Sequence, residues 1–252
     1  MNYKYLFLFL LVSSFIGCKK KTYTLYRIEG KQIGITDSLT AYASIQEYIK
    51  PYQEHIQKNL DSVISFSLDT YTKNEGHLNT AIGNFMADAV YNEANPIFNR
   101  RTGKNIDIVL LNYGGIRAII PKGNVTARTA YELMPFENSV VVATLKGSQV
   151  YGMIDYLAKG KQAHPISKLK IVLDSNYNLS EASLNGKSID SSATYYVATN
   201  DYLFNGGGNM DFFKPTDSLY VLNYKIRNAL IDAFKHSDTL DLKIDDRFIQ
   251  IN

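Results

Sequence analysis

Tryptophan is absent from this 252-residue chain, cysteine occurs once and histidine only four times. A single cysteine, Cys18, excludes any intramolecular disulfide. The histidines, His55, His77, His164 and His236, stand far apart and lack ligand-type spacing. Metal-assisted hydrolysis needs carboxylates and histidines gathered around the ion, so no metal site and no catalytic residue is expected in this chain. Nucleophile elbows of the GxSxG type, GxxxxGK[ST] phosphate loops and dinucleotide glycine fingerprints are also missing. Charge of one sign is lacking as well. Net charge is only +3, and the basic runs Lys19-Lys20-Lys21 and Arg100-Arg101 are short. A nucleic-acid polymer as partner is therefore not expected, because such binders carry a clustered basic face.

What is present suits an ordinary globular fold: 45% hydrophobic residues, 20% charged, with 19 tyrosines and 12 phenylalanines. The N-terminus carries the first functional signal. Lys4 precedes the apolar run Leu6 to Val12, which is too short to span a bilayer and reads as a secretory signal peptide over residues 1–17. It ends in Phe15-Ile16-Gly17-Cys18, which resembles a bacterial lipobox with phenylalanine in place of the usual leucine. Lipidation at Cys18 would anchor the chain to a membrane of the bacterial cell envelope.

Residues 18–39 read as the lipidated tether and a small hairpin, since Tyr23 to Ile35 alternates around Glu29-Gly30-Lys31. Ile45, Tyr48, Ile49, Tyr52, Ile56 and Leu60 fall at helical spacing, so 40–61 reads as an amphipathic helix, with Pro51 as a possible kink. Val63 to Leu68 is a strand, and a second helix begins at an Asn79 cap. Ile106 to Leu111 is a near-continuous apolar strand, and a short helix follows with Thr129 and Glu132 at capping-box spacing. Further elements are a strand at 139–145, a helix at 148–158, hairpins within 168–190, a strand at 195–199, a helix at about 222–235 and a last strand at 247–251. Strands and helices mix without strict alternation, so the class is α+β: a single mixed-sheet domain over 62–252 with flanking helices.

Three clusters follow or precede these strands. Asn112-Tyr113-Gly114-Gly115-Ile116-Arg117 puts two glycines and an arginine directly after a buried strand. Such a turn admits close backbone approach, and the guanidinium can grip a phosphate or carboxylate, or simply lie on the surface. Met134-Pro135-Phe136-Glu137-Asn138 places an aromatic at a bend, either as a stacking platform or as a core plug. Asn200-Asp201-Tyr202-Leu203-Phe204-Asn205-Gly206-Gly207 repeats the aromatic and glycine turn after a strand.

Together these clusters resemble the C-terminal domain of the 5'-nucleotidase family, supported by Ile82-Gly83-Asn84 and Leu145-Lys146-Gly147 in matching order over about residues 62–235. The helix at 40–61 falls where that family joins its two domains. The resemblance implies a nucleoside or nucleotide ligand with its base between Phe136 and Tyr202. It assigns Arg117, Asn112 and Asn138 to substrate contacts, and Gly206 and Gly207 to the second glycine turn. Gly208 stands where the family has a ribose-binding aspartate, Tyr113 replaces a glycine, and an arginine ahead of Ile82 is missing. The family's metallophosphoesterase motifs are absent from the chain. The expectation is a substrate-binding component, with a separate metallophosphoesterase partner supplying divalent metals and catalysis. The alternatives are a non-catalytic nucleotide-binding lipoprotein and a purely structural envelope protein.

Overall fold

The computed structural model describes residues 3–4, 23–36 and 38–251. Cys18 and nearly all of the expected signal peptide lie outside them. The chain divides into two compact units, Met1–Tyr48 and Ile49–Asn252.

In the first unit the expected hairpin does not form. Residues 23–36 have no strand pairing and stay exposed, with Tyr26 97% and Ile35 91% accessible. The alternation is real, but a lone two-stranded hairpin is marginal without a surface to pack on. Helix α1, Ala43–Leu60, then runs unbroken through Pro51 and buries none of its residues.

The second unit is the mixed α+β domain. After β1 (Val63–Ser67) comes α2 (Ala81–Thr102). Its cap is Thr80, whose hydroxyl accepts from the Gly83 N–H, and not Asn79. Asn79 is buried and donates to the carbonyls of Asp245 and Phe248, so tertiary bonding takes the side chain that local sequence offers as a cap. Next are β2 (Ile108–Leu110), β3 (Gly123–Thr126) and α3 (Ala127–Leu133). The helix starts one turn before the expected capping pair, with the Thr126 N–H donating to the Thr129 hydroxyl at 3.2 Å. Then come β4 (Ser139–Lys146), α4 (Gly147–Gly160), β5 (Ile166–Ser167), β6 (Leu169–Leu173), β7 (Leu179–Leu184) and β8 (Lys187–Ser188). The chain continues with β9 (Thr194–Asn200), α5 (Asp201–Phe204), β10 (Leu219–Lys225), α6 (Ile226–Lys235), β11 (Thr239–Leu240) and β12 (Phe248–Gln250). The expected helix at 222–235 begins only at Ile226. Its first residues belong to β10, where Tyr220, Leu222 and Tyr224 alternate inward.

The strands form a five-stranded mixed sheet in the order β10-β4-β9-β2-β5, flanked by a three-stranded sheet β11-β1-β3 and a four-stranded sheet β12-β6-β7-β8. The central sheet is buried on both faces, which is why its strands read as continuous apolar runs. Val109, Val140, Val142 and Ala198 face a core shared with α2, α3 and α6. Ile108, Leu110, Val141, Ala143 and Val197 face a second core closed by α4 and by β6. Rigidity of this doubly covered sheet fixes where its loop-bearing ends point. Among the described residues no helix is long and apolar enough to cross a membrane.

Candidate functional site

Register places the three clusters at one end of the central sheet. Strand β2 runs parallel to β9, with Val109 opposite Ala198, and β4 runs antiparallel to β9, with Val140 opposite Asn200. The carboxyl ends of β2 and β9 and the amino end of β4 therefore share an edge. Asn112 lies just beyond β2, Asn138 just before β4, and Tyr202 just beyond β9. A crevice at the carboxyl ends of adjacent strands is where open sheets commonly bind ligands.

After β2 the chain makes a single turn of 3-10 helix, Tyr113–Gly115, closed by the Gly115 N–H donating to the Asn112 carbonyl at 2.9 Å. The half-buried Asn112 side chain folds back over this turn. Its Oδ1 approaches the amide of buried Asn200 at 3.5 Å, and Asn200 in turn caps α5 by accepting from the Leu203 N–H at 2.8 Å. The ends of two neighbouring strands are thus tied side chain to side chain.

Arg117 is exposed, and its backbone N–H donates to the Leu133 carbonyl at 2.9 Å. Its guanidinium carbon sits 5.9 Å from the centre of the Phe136 ring. Two clusters that are separate in sequence meet here. Phe136 is 42% accessible, so it does not plug a core. The bend that carries it is held from behind by residues the sequence reading missed. Arg227, buried on α6, pairs with Glu137, donates to the Pro135 carbonyl at 3.4 Å and stacks over Tyr131 at 4.1 Å. Lys225 donates to the Glu137 carbonyl at 2.6 Å, and the Ile226 N–H donates to the carbonyl of half-buried Asn138 at 3.0 Å. The Arg227 guanidinium holds the Glu137 carboxyl below the usual carboxylate range. The available signal was an arginine on the apolar face of α6, beside Ile226, Ala229 and Leu230.

Tyr202 is 55% accessible and stands over the second glycine turn. A β-carbon on Gly207 would come within 2.4 Å of the Tyr202 ring, so the ring lies flat on a surface only glycine leaves open. Gly206 turns with φ 97, and the Tyr156 hydroxyl donates to the Gly208 carbonyl at 2.8 Å. Asp201, at the start of α5, accepts from the Tyr202 N–H at 2.9 Å and so serves its own turn.

His164 is a further residue at this end of the sheet. It is buried, and its Nδ1 lies 3.3 Å from both the Tyr113 N–H and the Leu111 carbonyl. Burial pushes its pKa below the ordinary histidine value. The neutral ring accepts from Tyr113 and so props the first glycine turn. Among the described residues no group of histidine, cysteine, aspartate and glutamate side chains could hold a metal ion. The site displays two exposed aromatic faces, a guanidinium and amides.

The mixed sheets and their flanking helices have the fold of a 5'-nucleotidase C-terminal domain. Residues 58–215 match the family 5'-nucleotidase, C-terminal domain, and the chain belongs to that family. An apyrase of Tabanus yao is 22% identical over 239 residues, covering 86% of this chain and 43% of the apyrase. A cell wall protein of Listeria monocytogenes is 25% identical over 211 residues, covering 75% of this chain and 26% of its own length. The crystal structure of a 5'-nucleotidase precursor from Thermus thermophilus superposes with a TM-score of 0.69 at 22% identity, over 82% of this chain and 43% of that one. This chain therefore spans less than half the length of these relatives.

Proposed function

We propose that this chain is the substrate-binding component of a 5'-nucleotidase-type phosphoester hydrolase. It takes the base of a nucleoside or nucleotide between Phe136 and Tyr202, with Arg117, Asn112 and Asn138 contacting the rest of the ligand. The single observation that carries this reading is the convergence of all three turns on one sheet edge, with Arg117 already beside Phe136. Both rings are exposed there, as stacking platforms must be. Catalysis and divalent metals come from a separate metallophosphoesterase chain. The part of α1 within the domain, from Ile49 to Leu60, buries nothing and is the proposed docking element. Lipidation at Cys18 holds the chain in the bacterial cell envelope; the Listeria relative bears a cell-wall name, which supports that placement.

The test is a phosphatase assay with AMP and divalent metal, on this chain alone and with the co-purified metallophosphoesterase. No activity alone and a gain for the pair is the expected result. Failure to form a complex, with no gain in activity, sinks the two-chain reading. Gly208, at the position where the family has its ribose-binding aspartate, favours the alternative of a non-catalytic nucleotide-binding lipoprotein. Binding without any gain on mixing would select it.

A further inference from the structure

A cavity of about 620 Å³ opens between α2 and the β6–β7 pair, and none of the three turn clusters lines it. Most of the residues around it are charged or polar. Its floor is satisfied from within. The Arg247 side chain, 16% accessible, pairs with Asp88 at 2.8 Å and with Asp245 at 2.7 Å, and the buried Ser167 hydroxyl donates to Asp88 at 2.6 Å. Lys170 pairs with Asp246.

Two opposite charges on the walls are left over. Neither Lys168 nor Glu181 forms an ion pair among the described residues. Lys168 Nζ lies 4.3 Å from the centre of the Tyr91 ring on α2. A ring face attracts an ammonium without neutralising it, so its N–H donors remain for a ligand. Lys168 reaches this place from a backbone with φ 67, a left-handed conformation that glycine adopts freely and lysine does not. Glu181 is oriented by the Ser183 hydroxyl, which donates to it at 3.2 Å, and the rest of its acceptor capacity is open. The hydrogen bond to Asp246 first, and the Glu181 charge after it, raise the Lys170 pKa above the ordinary lysine value. One ammonium thus serves two carboxylates, and Glu181 is the less well served.

The two free charges are separated by a definite span. Glu181 stands opposite Val172 in the β6–β7 register, four residues along from Lys168, or about 13 Å at the rise of a strand. An extended peptide of three residues covers about 10 Å, and the reach of the two side chains supplies the rest. Between the ends, the side-chain amides of Asn92 and Asn185 line the cavity without a hydrogen bond among the described residues. Amides of this kind both donate and accept, as peptide groups do.

We propose that this cavity binds a short peptide with free ends, its carboxylate on Lys168 and its ammonium on Glu181, with Asn92 and Asn185 meeting the peptide groups between. A zwitterion of this length answers both leftover charges at once. The site is separate from the stacking turns and does not rest on the function proposed for them.

The test uses the full chain labelled with 15N. Trialanine, N-acetyl-trialanine and trialanine amide are titrated separately while the Gly186 backbone amide and the Asn92 and Asn185 side-chain amides are followed by NMR. Saturable shifts with trialanine, and binding about tenfold weaker when either end is blocked, are the expected results. Lys168→Gly suits the left-handed backbone, and Glu181→Gln keeps the shape of the side chain, so both variants should keep the fold. Each should weaken trialanine binding about tenfold, as expected for loss of one charge-assisted hydrogen bond. Lys168→Gly should leave the affinity for trialanine amide unchanged, and Glu181→Gln that for N-acetyl-trialanine. Absence of saturable shifts, or wild-type affinity for trialanine in either variant, overturns the proposal. So does an equal loss for the blocked peptides, because the two charges would then not be reading the peptide ends. Adenosine binding, measured alongside, reports on the stacking turns alone, so failure of the proposed function and failure of this site give different results.

Discussion

Replacing Gly207 by alanine asks whether the Tyr202 ring is there for a ligand or for the fold. The new β-carbon would lie 2.4, 2.5 and 2.6 Å from three atoms of that ring. Comfortable carbon–carbon contact begins near 3.5 Å, so the ring must move by about an ångström. Folding should hardly register this. Tyr202 is 55% accessible and can swing outward, and Gly207 is not in the left-handed region, so alanine fits its backbone. A surface change of this kind stays within about 0.5 kcal/mol, and removing glycine's freedom from the unfolded chain offsets any loss by about 0.4–1 kcal/mol. Ligand binding should register it strongly. A base stacked on an aromatic ring is worth about 1–3 kcal/mol, so the adenosine Kd should rise about 5- to 150-fold. Calorimetric titration gives the Kd, and urea unfolding of the same preparation gives the stability. A Kd unchanged within about twofold, or a variant that unfolds, would refute the reasoning.

Arg227→Ala should destabilise the chain by about 1–3 kcal/mol in urea unfolding, because a buried guanidinium that braces the Pro135–Asn138 bend is lost; adenosine affinity should fall with it, and unchanged affinity would mean that the bend stands without its brace. Arg247 pairs with both Asp88 at 2.8 Å and Asp245 at 2.7 Å and donates to the Ile166 carbonyl at 2.8 Å, tying the segment before β12 to α2 and β5. The two acidic side chains are 41% and 43% accessible, so Arg247→Ala should cost about 2–3 kcal/mol, below the full range for a buried pair; a loss under about 1 kcal/mol would show the clasp to be idle. His164 has its folded-state pKa depressed by burial, so the folded protein binds fewer protons there than the unfolded chain. Its contribution is intact above the unfolded value of about 6.5 and is lost as pH falls through the folded one. Urea midpoints should drop more steeply between pH 7.5 and 5 in the wild type than in His164→Gln, and parallel curves would refute this.

The parts of the site that were legible in the sequence are those encoded locally. Ile106 to Leu111 announced a strand buried on both faces, and the glycine turns after β2 and β9 announced where the chain reverses. Their convergence was not legible residue by residue, since it depends on β2 and β9 running parallel across a crossover; only the family resemblance pointed to it. Arg227 was missed because its role lies in contacts with residues about 90 positions earlier. The strand β10 was absorbed into the following helix because Leu222 and Ile226 also satisfy helical spacing. The alternation at Tyr23 to Ile35 misled in the opposite direction: the pattern was present, but residues 23–36 form no strand pairing.

The most direct test of the central claim is calorimetric titration of adenosine into the wild-type chain, Phe136→Ala and Tyr202→Ala. The account predicts saturable binding by the wild type, weakened about 5- to 150-fold in each variant with unfolding midpoints unchanged. No binding at millimolar adenosine, or equal binding by all three proteins, would contradict it.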